Sequence, residues 1–219
     1  MSRLLVATNN PGKLREFQRL LAGLEATIVA PADIGLDLEV PEPHHTYAEN
    51  ASAKADAFCR ASGLPTLADD SGLEVAALDW GPGVRTGRWG ARDGRDPDRM
   101  VEAVREANDR RARMVCWLAL ALPGDPPTVE LFSGVIEGEI ATERRGGGGF
   151  GYDPVFLLPR GVTTAELPEG EKDQISHRGR AVAAALPRLR EVLAEAASAT
   201  GPIGPVRPAG PSSGRPMPL

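Results

Sequence analysis

The chain has 219 residues, 42% of them apolar and 25% charged, with a formal net charge of −5; at roughly 150 residues per domain this implies a single globular domain and excludes the disordered, collagenous and membrane-embedded classes. Thirty acidic against 25 basic side chains also exclude a general binder of the nucleic-acid backbone, which needs a basic face. Gly and Pro are abundant, at 25 and 20 residues, and four Gly and six Pro fall in Gly201–Leu219 (GPIGPVRPAGPSSGRPMPL). That segment has no apolar periodicity and reads as a disordered tail, so its deletion is expected to leave melting temperature and activity nearly unchanged.

In chain order, Arg3–Ala7 reads as a short buried strand, followed by a polar turn over Thr8–Lys13. A helix over Leu14–Leu21 then carries Leu14, Phe17, Leu20 and Leu21 on one face. Ile28–Ala30 is a second strand, Asp33–His45 is irregular and acidic, and a helix covers Tyr47–Ala61 until Gly63-Leu64-Pro65 stops it. Thr66–Ala68 is a strand ending in Asp69-Asp70-Ser71-Gly72, with Leu73–Leu78 a separate extended segment. Gly81–Asp96 is rich in Gly and Arg without a pattern, and a helix is expected from Asp98 to about Asn108. Arg113–Leu122 and Thr128–Glu139 form a hairpin around a Pro-Gly-Asp-Pro-Pro turn. After a Gly run come a strand at Val155–Leu158, a helix start in Thr164–Lys172 and a final Ala-rich helix opened by Ile175–Gly179, which Pro187 is expected to kink or restart. Helices alternating with strands around a central hairpin predict an α/β fold with a mixed sheet, and no internal repeat is visible.

Cys59 and Cys116 lack the CxxC spacing and the further partners of a disulfide framework or zinc site. The N-terminal apolar run is too short for a signal peptide, and Met114–Leu122 is too short to cross a bilayer. A cytoplasmic protein is expected.

Five segments carry chemistry. Thr8, Asn9, Asn10, Pro11, Gly12 and Lys13 join a buried strand to a helix N-terminus, where amide donors, the helix dipole and a lysine suit a phosphate. The same residues make a capping turn, Asn10 as N-cap with Pro11 at the first helical position, and they do not match a P-loop. Asp69-Asp70-Ser71-Gly72 offers carboxylates suited to hydrated Mg²⁺ and to a water proton, against the plainer reading of an Asp-Ser-Gly turn. Adjacent side chains alternate across a strand, so only one of the two Asp can face a given pocket unless the strand ends between them. In Thr46–Lys54, Thr46 and Glu49 form a capping box, while Asn50 and Lys54 share a face one turn apart. Gly146–Asp153 combines four consecutive glycines with Phe150, Gly151, Tyr152 and Asp153, which suits close backbone approach and stacking on a flat ring. Lys172 precedes Ser176-His177-Arg178-Gly179, where Ser176 is a candidate N-cap. His177 and Arg178 sit at the unfavourable positive end of that helix, a conflict that an anion or a carbonyl-rich base edge would resolve.

Together, ATNNPGKLREF, TYAENASAKA, LADDSGLEV, GGFGYDPVF and EKDQISHRGRA, spread from Leu4 to about Leu193, resemble the inosine triphosphate pyrophosphatase family, the XTP/dITP diphosphatases. The resemblance implies a long mixed sheet with flanking helices, two lobes around a central cleft within residues 1–200, and a homodimer. It implies Mg²⁺-dependent hydrolysis of ITP, dITP and XTP between the α- and β-phosphates to nucleoside monophosphate and pyrophosphate, cleansing the nucleotide pool. Asp70 would be the catalytic carboxylate and metal ligand. Thr8 to Lys13, Lys54 and Ser71 would hold the triphosphate, and Phe150 to Asp153, Lys172, His177 and Arg178 the base and ribose. The second metal-binding acid falls at Glu42 or Glu39, with Glu42 favoured by spacing. Arg85 and Gly87 depart from the family's Tyr-Ser-Ala-Arg-Tyr type of run, which Arg88 and Trp89 fit. Two other readings are a nucleotide-binding module without hydrolysis and a Maf-type pyrophosphatase acting on modified pyrimidines; Asp70 and a substrate panel separate them.

Overall fold

The structure is a computed structural model in which residues 2–89 and 96–199 are described. Part of the Gly- and Arg-rich segment (90–95) and the Gly/Pro-rich segment 201–219 lie outside the described residues. The elements are β1 (Ser2–Val6), α1 (Pro11–Leu20), β2 (Ala26–Val29), α2 (Tyr47–Ser62), β3 (Thr66–Val75), β4 (Gly81–Pro82), α3 (Pro97–Ala103), β5 (Arg111–Leu122), β6 (Thr128–Ile140), β7 (Phe156–Leu157), α4 (Glu169–Ile175) and α5 (His177–Ala199), with short 3₁₀ turns between them. Among the described residues, seven strands form one mixed sheet in the order β2-β1-β3-β5-β6-β7, with β4 beside β3. β1 runs parallel to β2 and β3, and the remaining pairings are antiparallel.

Alternation along the strands builds the core. Leu4 and Val6 of β1 pack with Phe17 and Leu21, and with Ala181, Val182, Ala185 and Leu189 of α5. Leu5 and Ala7 point the other way, onto Ala51, Ala55 and Phe58 of α2. A third cluster, including Leu73, Val75, Met100, Met114, Ile136, Tyr152 and Phe156, fills the far end of the sheet. Because β2 and β3 flank β1 on opposite sides, the chain reverses direction across the sheet at the carboxyl end of β1. Such a switch point is where open α/β sheets place ligands.

Several boundaries differ from expectation for identifiable reasons. The Asp-Ser-Gly segment is not a turn, because β3 continues through Val75 and pairs with β5 at all ten residues. Gly72 permits this, since a Cβ there would overlap the Gly83 carbonyl and crowd the Thr86 hydroxyl. Leu73–Leu78 is therefore the end of β3 plus a 3₁₀ turn at Ala76–Leu78. α3 stops at Ala103 rather than near Asn108; its apolar stripe is complete once Met100 and Val104 are buried. α5 runs unbroken through Pro187, held on the sheet by the buried Ala185 and Leu189 on either side of it. No helix among the described residues is long and apolar enough to cross a membrane. Cys59 and Cys116 are buried free thiols.

Candidate active site

The turn after β1 caps α1 as its sequence implies. Asn10 accepts from the Lys13 amide at 3.0 Å, and the Thr8 hydroxyl accepts from the Asn10 amide at 3.2 Å. Thr8, Asn9, Asn10 and Lys13 line a cleft of about 270 Å³ together with Glu39, Glu42, Lys54, Asp70, Ser71, Thr86 and Arg88. α2 is capped by Thr46, whose hydroxyl accepts from the Glu49 amide and donates to the Glu49 carboxylate. From this helix Asn50 Nδ2 donates to Asp70 Oδ2 at 3.0 Å, and Lys54 Nζ donates to the Asp69 carbonyl at 3.1 Å. Lys54 also pairs with Glu42.

Because β3 is continuous, its two aspartates point to opposite faces of the sheet. Asp70 faces the cleft. Burial, the largest influence, and the nearby Glu42 charge hold its carboxyl above the usual aspartate range, despite the Asn50 hydrogen bond and the charges of Lys13 and Lys54. Asp69 faces α1 and α5, where its Oδ2 lies 3.0 Å from both Lys13 Nζ and Arg178 Nη2. Burial alone would raise its carboxyl, but the charges of Lys13, Arg178 and Lys54 more than offset this and keep it well below the usual range. Two neighbouring carboxylates are thus driven apart, the pattern that separates a proton acceptor from a fixed charge.

A second, narrower cavity of about 60 Å³ adjoins the cleft, with Lys13, Ser71 and Thr86 in the walls of both. It is lined by Phe150, Gly151, Tyr152, Asp153, Lys172, His177 and Arg178, with Leu73 and Met114. Lys172 Nζ donates to Glu16 at 2.7 Å and to Asp153 at 2.5 Å. Arg178 pairs with Glu16 and donates to Asp69 and to the Ser71 hydroxyl, each at 3.0 Å. The Phe150 ring lies beneath these cations, its centroid 5.4 Å from Lys172 Nζ and 5.7 Å from the Arg178 guanidinium. Burial, then the Arg178 charge, push the His177 imidazole down to about 3, so it is neutral near pH 7. Its Nδ1 and the Arg178 Nε are buried without a hydrogen-bond partner among the described residues. Buried polar atoms in that state cost about 1–3 kcal/mol each, which a ligand edge in the cavity would relieve.

Every residue expected at the site from the sequence falls in or beside these two cavities, but two expectations change. The conflict of His177 and Arg178 with the helix dipole needs no bound anion: Ser176 caps the Gly179 amide at 3.0 Å, His177 is neutral, and Glu16 with Asp69 neutralises Arg178. Four of the glycines pack against the protein itself. A Cβ at Gly12 would lie 2.8 Å from the Phe150 ring, Gly146 and Gly148 pack on Ala165, and a Cβ at Gly149 would overlap the Asp153 carboxylate. The lysines and the arginine of the site each already hold a carboxylate. Asp153 organises its loop, accepting from the Phe150 amide at 2.7 Å and the Thr164 hydroxyl at 2.8 Å.

Sequence reasoning passed over Glu16, Asn50 as the partner of Asp70, and Thr86. Glu16 had a signal: it lies three residues after Lys13, on the same side of α1, and is buried at 4% exposure. Thr86 ties its turn to β3, donating to the Gly83 carbonyl at 2.5 Å and accepting from the Leu73 amide at 2.9 Å.

Among the described residues no group of three or more His, Cys, Asp or Glu side chains forms a metal cluster. Mg²⁺ is usually held by one or two carboxylates plus substrate phosphates and water. Asp70 with Glu42 or Glu39 in one cleft fits an ion that arrives with a polyphosphate. Glu42 is half-buried and shared with Lys54, whereas Glu39 is exposed.

The profile of the Ham1 family matches residues 4–188. The chain is 46% identical over 198 residues to a dITP/XTP pyrophosphatase of Burkholderia pseudomallei, covering 87% of this chain and 95% of that one. It is 45% identical over 199 residues to a protein of the same name from Nitrosomonas europaea, covering 89% and 96%. Among solved structures, a HAM1 protein from Coxiella burnetii superposes with a TM-score of 0.75 at 40% identity, covering 89% of this chain and all of that one. A nucleoside-triphosphatase/dITP/XTP pyrophosphatase from Mycobacterium abscessus gives 0.66 at 40% identity, covering 84% and 99%.

Proposed function

The chain belongs to the Ham1 family, and from that premise we propose that it hydrolyses the non-standard purine nucleoside triphosphates ITP, dITP and XTP between the α- and β-phosphates, yielding the nucleoside monophosphate and pyrophosphate. The relatives' names support the reaction class. The single observation that carries it is the divergence of Asp69 and Asp70 on one strand, with Asp70 alone facing the cleft. Phosphoryl chemistry asks mainly for positioning and charge neutralisation. The helix N-terminus at Asn10–Lys13 and the side chains of Lys13, Lys54 and Ser71 take the triphosphate, Lys13 keeping its pair with the buried Asp69. Asp70 accepts the proton of the attacking water. Asp70 and Glu42, together with the phosphates, would hold Mg²⁺, which would supply further charge neutralisation.

Selection against adenine follows from donors and acceptors. Glu16 and Asp153 spend their oxygens on Lys172, Arg178, Thr164 and the Phe150 amide, so the narrow cavity presents mainly donors. A 6-keto purine fits these, and the 6-amino group of adenine does not; leaving buried donors unpaired gives large discrimination.

The working unit is a homodimer of one two-lobed domain acting in the cytoplasm, and its partner is a small nucleotide rather than nucleic acid or membrane, in keeping with the net charge of −5. The partly exposed Leu131 and Val135 of β6 supply apolar surface for the second copy, and sedimentation equilibrium would return twice the chain mass. A substrate panel scored by pyrophosphate release tests the reaction. ITP, dITP and XTP should be turned over much faster than ATP or GTP, and release of orthophosphate instead would overturn the assignment.

A further inference from the structure

The Asp69 side chain lines neither cavity, yet it touches groups that serve both. One oxygen, Oδ2, lies 3.0 Å from Lys13 Nζ and 3.0 Å from Arg178 Nη2. Lys13 reaches the phosphate cleft, whereas Arg178 lines only the narrow cavity. Cys116 Sγ stands 4.0 Å from the same oxygen, and the side chain is 1% exposed. The backbone is equally confined, since β3 pairs Asp69 with Leu118 of β5, and the Ala7 amide donates to the Leu67 carbonyl two residues earlier at 2.7 Å. A charge locked in a central strand and shut off from water cannot follow a ligand, so the two cations it holds are fixed relative to each other.

We propose that Asp69 is a positioning residue: it sets Arg178 of the base cavity and Lys13 of the phosphate cleft at one fixed separation, so that a purine accepting the Arg178 donors places its α–β linkage in register with Lys13 and Asp70. This deepens the triphosphate-hydrolase reading and rests on it. Base identity is then expressed in kcat as well as in binding, because misplacement of the reacting groups by about 1 Å can cost about 10²-fold in rate.

The test compares wild type with Asp69→Asn, measuring kcat and KM for ITP and for ATP by pyrophosphate release. Asparagine keeps the shape and removes the charge shared by the two cations. The kcat for ITP should fall about 10²-fold, KM should change less, and the ITP-to-ATP ratio of kcat/KM should narrow by about tenfold or more. That ratio does not depend on the fraction of protein that is folded, so a merely structural role leaves it unmoved. Asp69→Glu retains the charge one methylene away and should narrow the ratio in the same direction, which keeps the question open to measurement if the asparagine variant does not fold. A folded variant that slows both substrates equally, with the ratio within about twofold of wild type, overturns the proposal. Wild-type protein that releases no pyrophosphate from ITP overturns the hydrolase reading instead.

Discussion

Asp69 and Asp70 are covalent neighbours with the same side chain, and the alternation of a continuous strand gives them different environments. Asp70 accepts a proton only when ionised, and its carboxyl is held above the ordinary range, chiefly by burial. Activity should therefore fall as pH drops through a value above the ordinary aspartate pKa of about 3.9, a shift visible in the acidic limb of a kcat–pH profile. Asp70→Asn should abolish turnover while leaving ITP binding, measured by calorimetry, within about tenfold of wild type. Asp69 behaves oppositely. Its folded pKa is depressed, so it stabilises the protein above about pH 4 and that contribution is lost as pH falls below this value. A plot of urea-unfolding free energy against pH should lose this acid-side slope in a folded Asp69→Asn variant.

Packing between elements depends on side chains that are absent. Gly134 of β6 lies under the start of α5, where a Cβ would overlap the His177 carbonyl and sit 2.6 Å from the Ala181 amide nitrogen. Gly134→Ala should lift the helix and cost roughly 1–3 kcal/mol by urea denaturation. Gly12→Ala should instead push the Phe150 ring off α1, where a Cβ would lie 2.8 Å from it. Its effect should appear mainly as a raised KM for ITP, with a smaller loss in melting temperature. The helices and the long hairpin were legible from period and punctuation, as with Thr46, Asn10 and the turn between β5 and β6. The continuity of β3 was not, because Asp-Ser-Gly has turn chemistry and only the neighbouring Gly83 carbonyl shows why glycine stands in a strand.

Over the whole molecule, the candidate site was legible as a set of residues and illegible as a network. Motif order brought out Lys13, Lys54, Asp70, Lys172 and Arg178, but nothing local indicates that Glu16 pairs with Arg178, 162 positions away. Such partners are set by the packing of α1 against α4 and α5, which periodicity does not specify. The bidentate pair of Arg19 with Asp173, at 2.6 and 3.0 Å, ties α1 to α4 and carries Lys172 into place. Arg19→Ala should thus lower catalytic efficiency for ITP several-fold without touching substrate, a loss that crystal-free kinetics can score directly.

The two cavities are unequal, about 60 Å³ against 270 Å³, and among the described residues they share Lys13, Ser71 and Thr86 as walls. Cleavage of the α–β linkage would leave one product on each side of that junction. Pyrophosphate would then lie in the larger cleft, while the monophosphate would keep the contacts of its base in the smaller cavity. IMP should therefore inhibit competitively against ITP, and added pyrophosphate should inhibit far less.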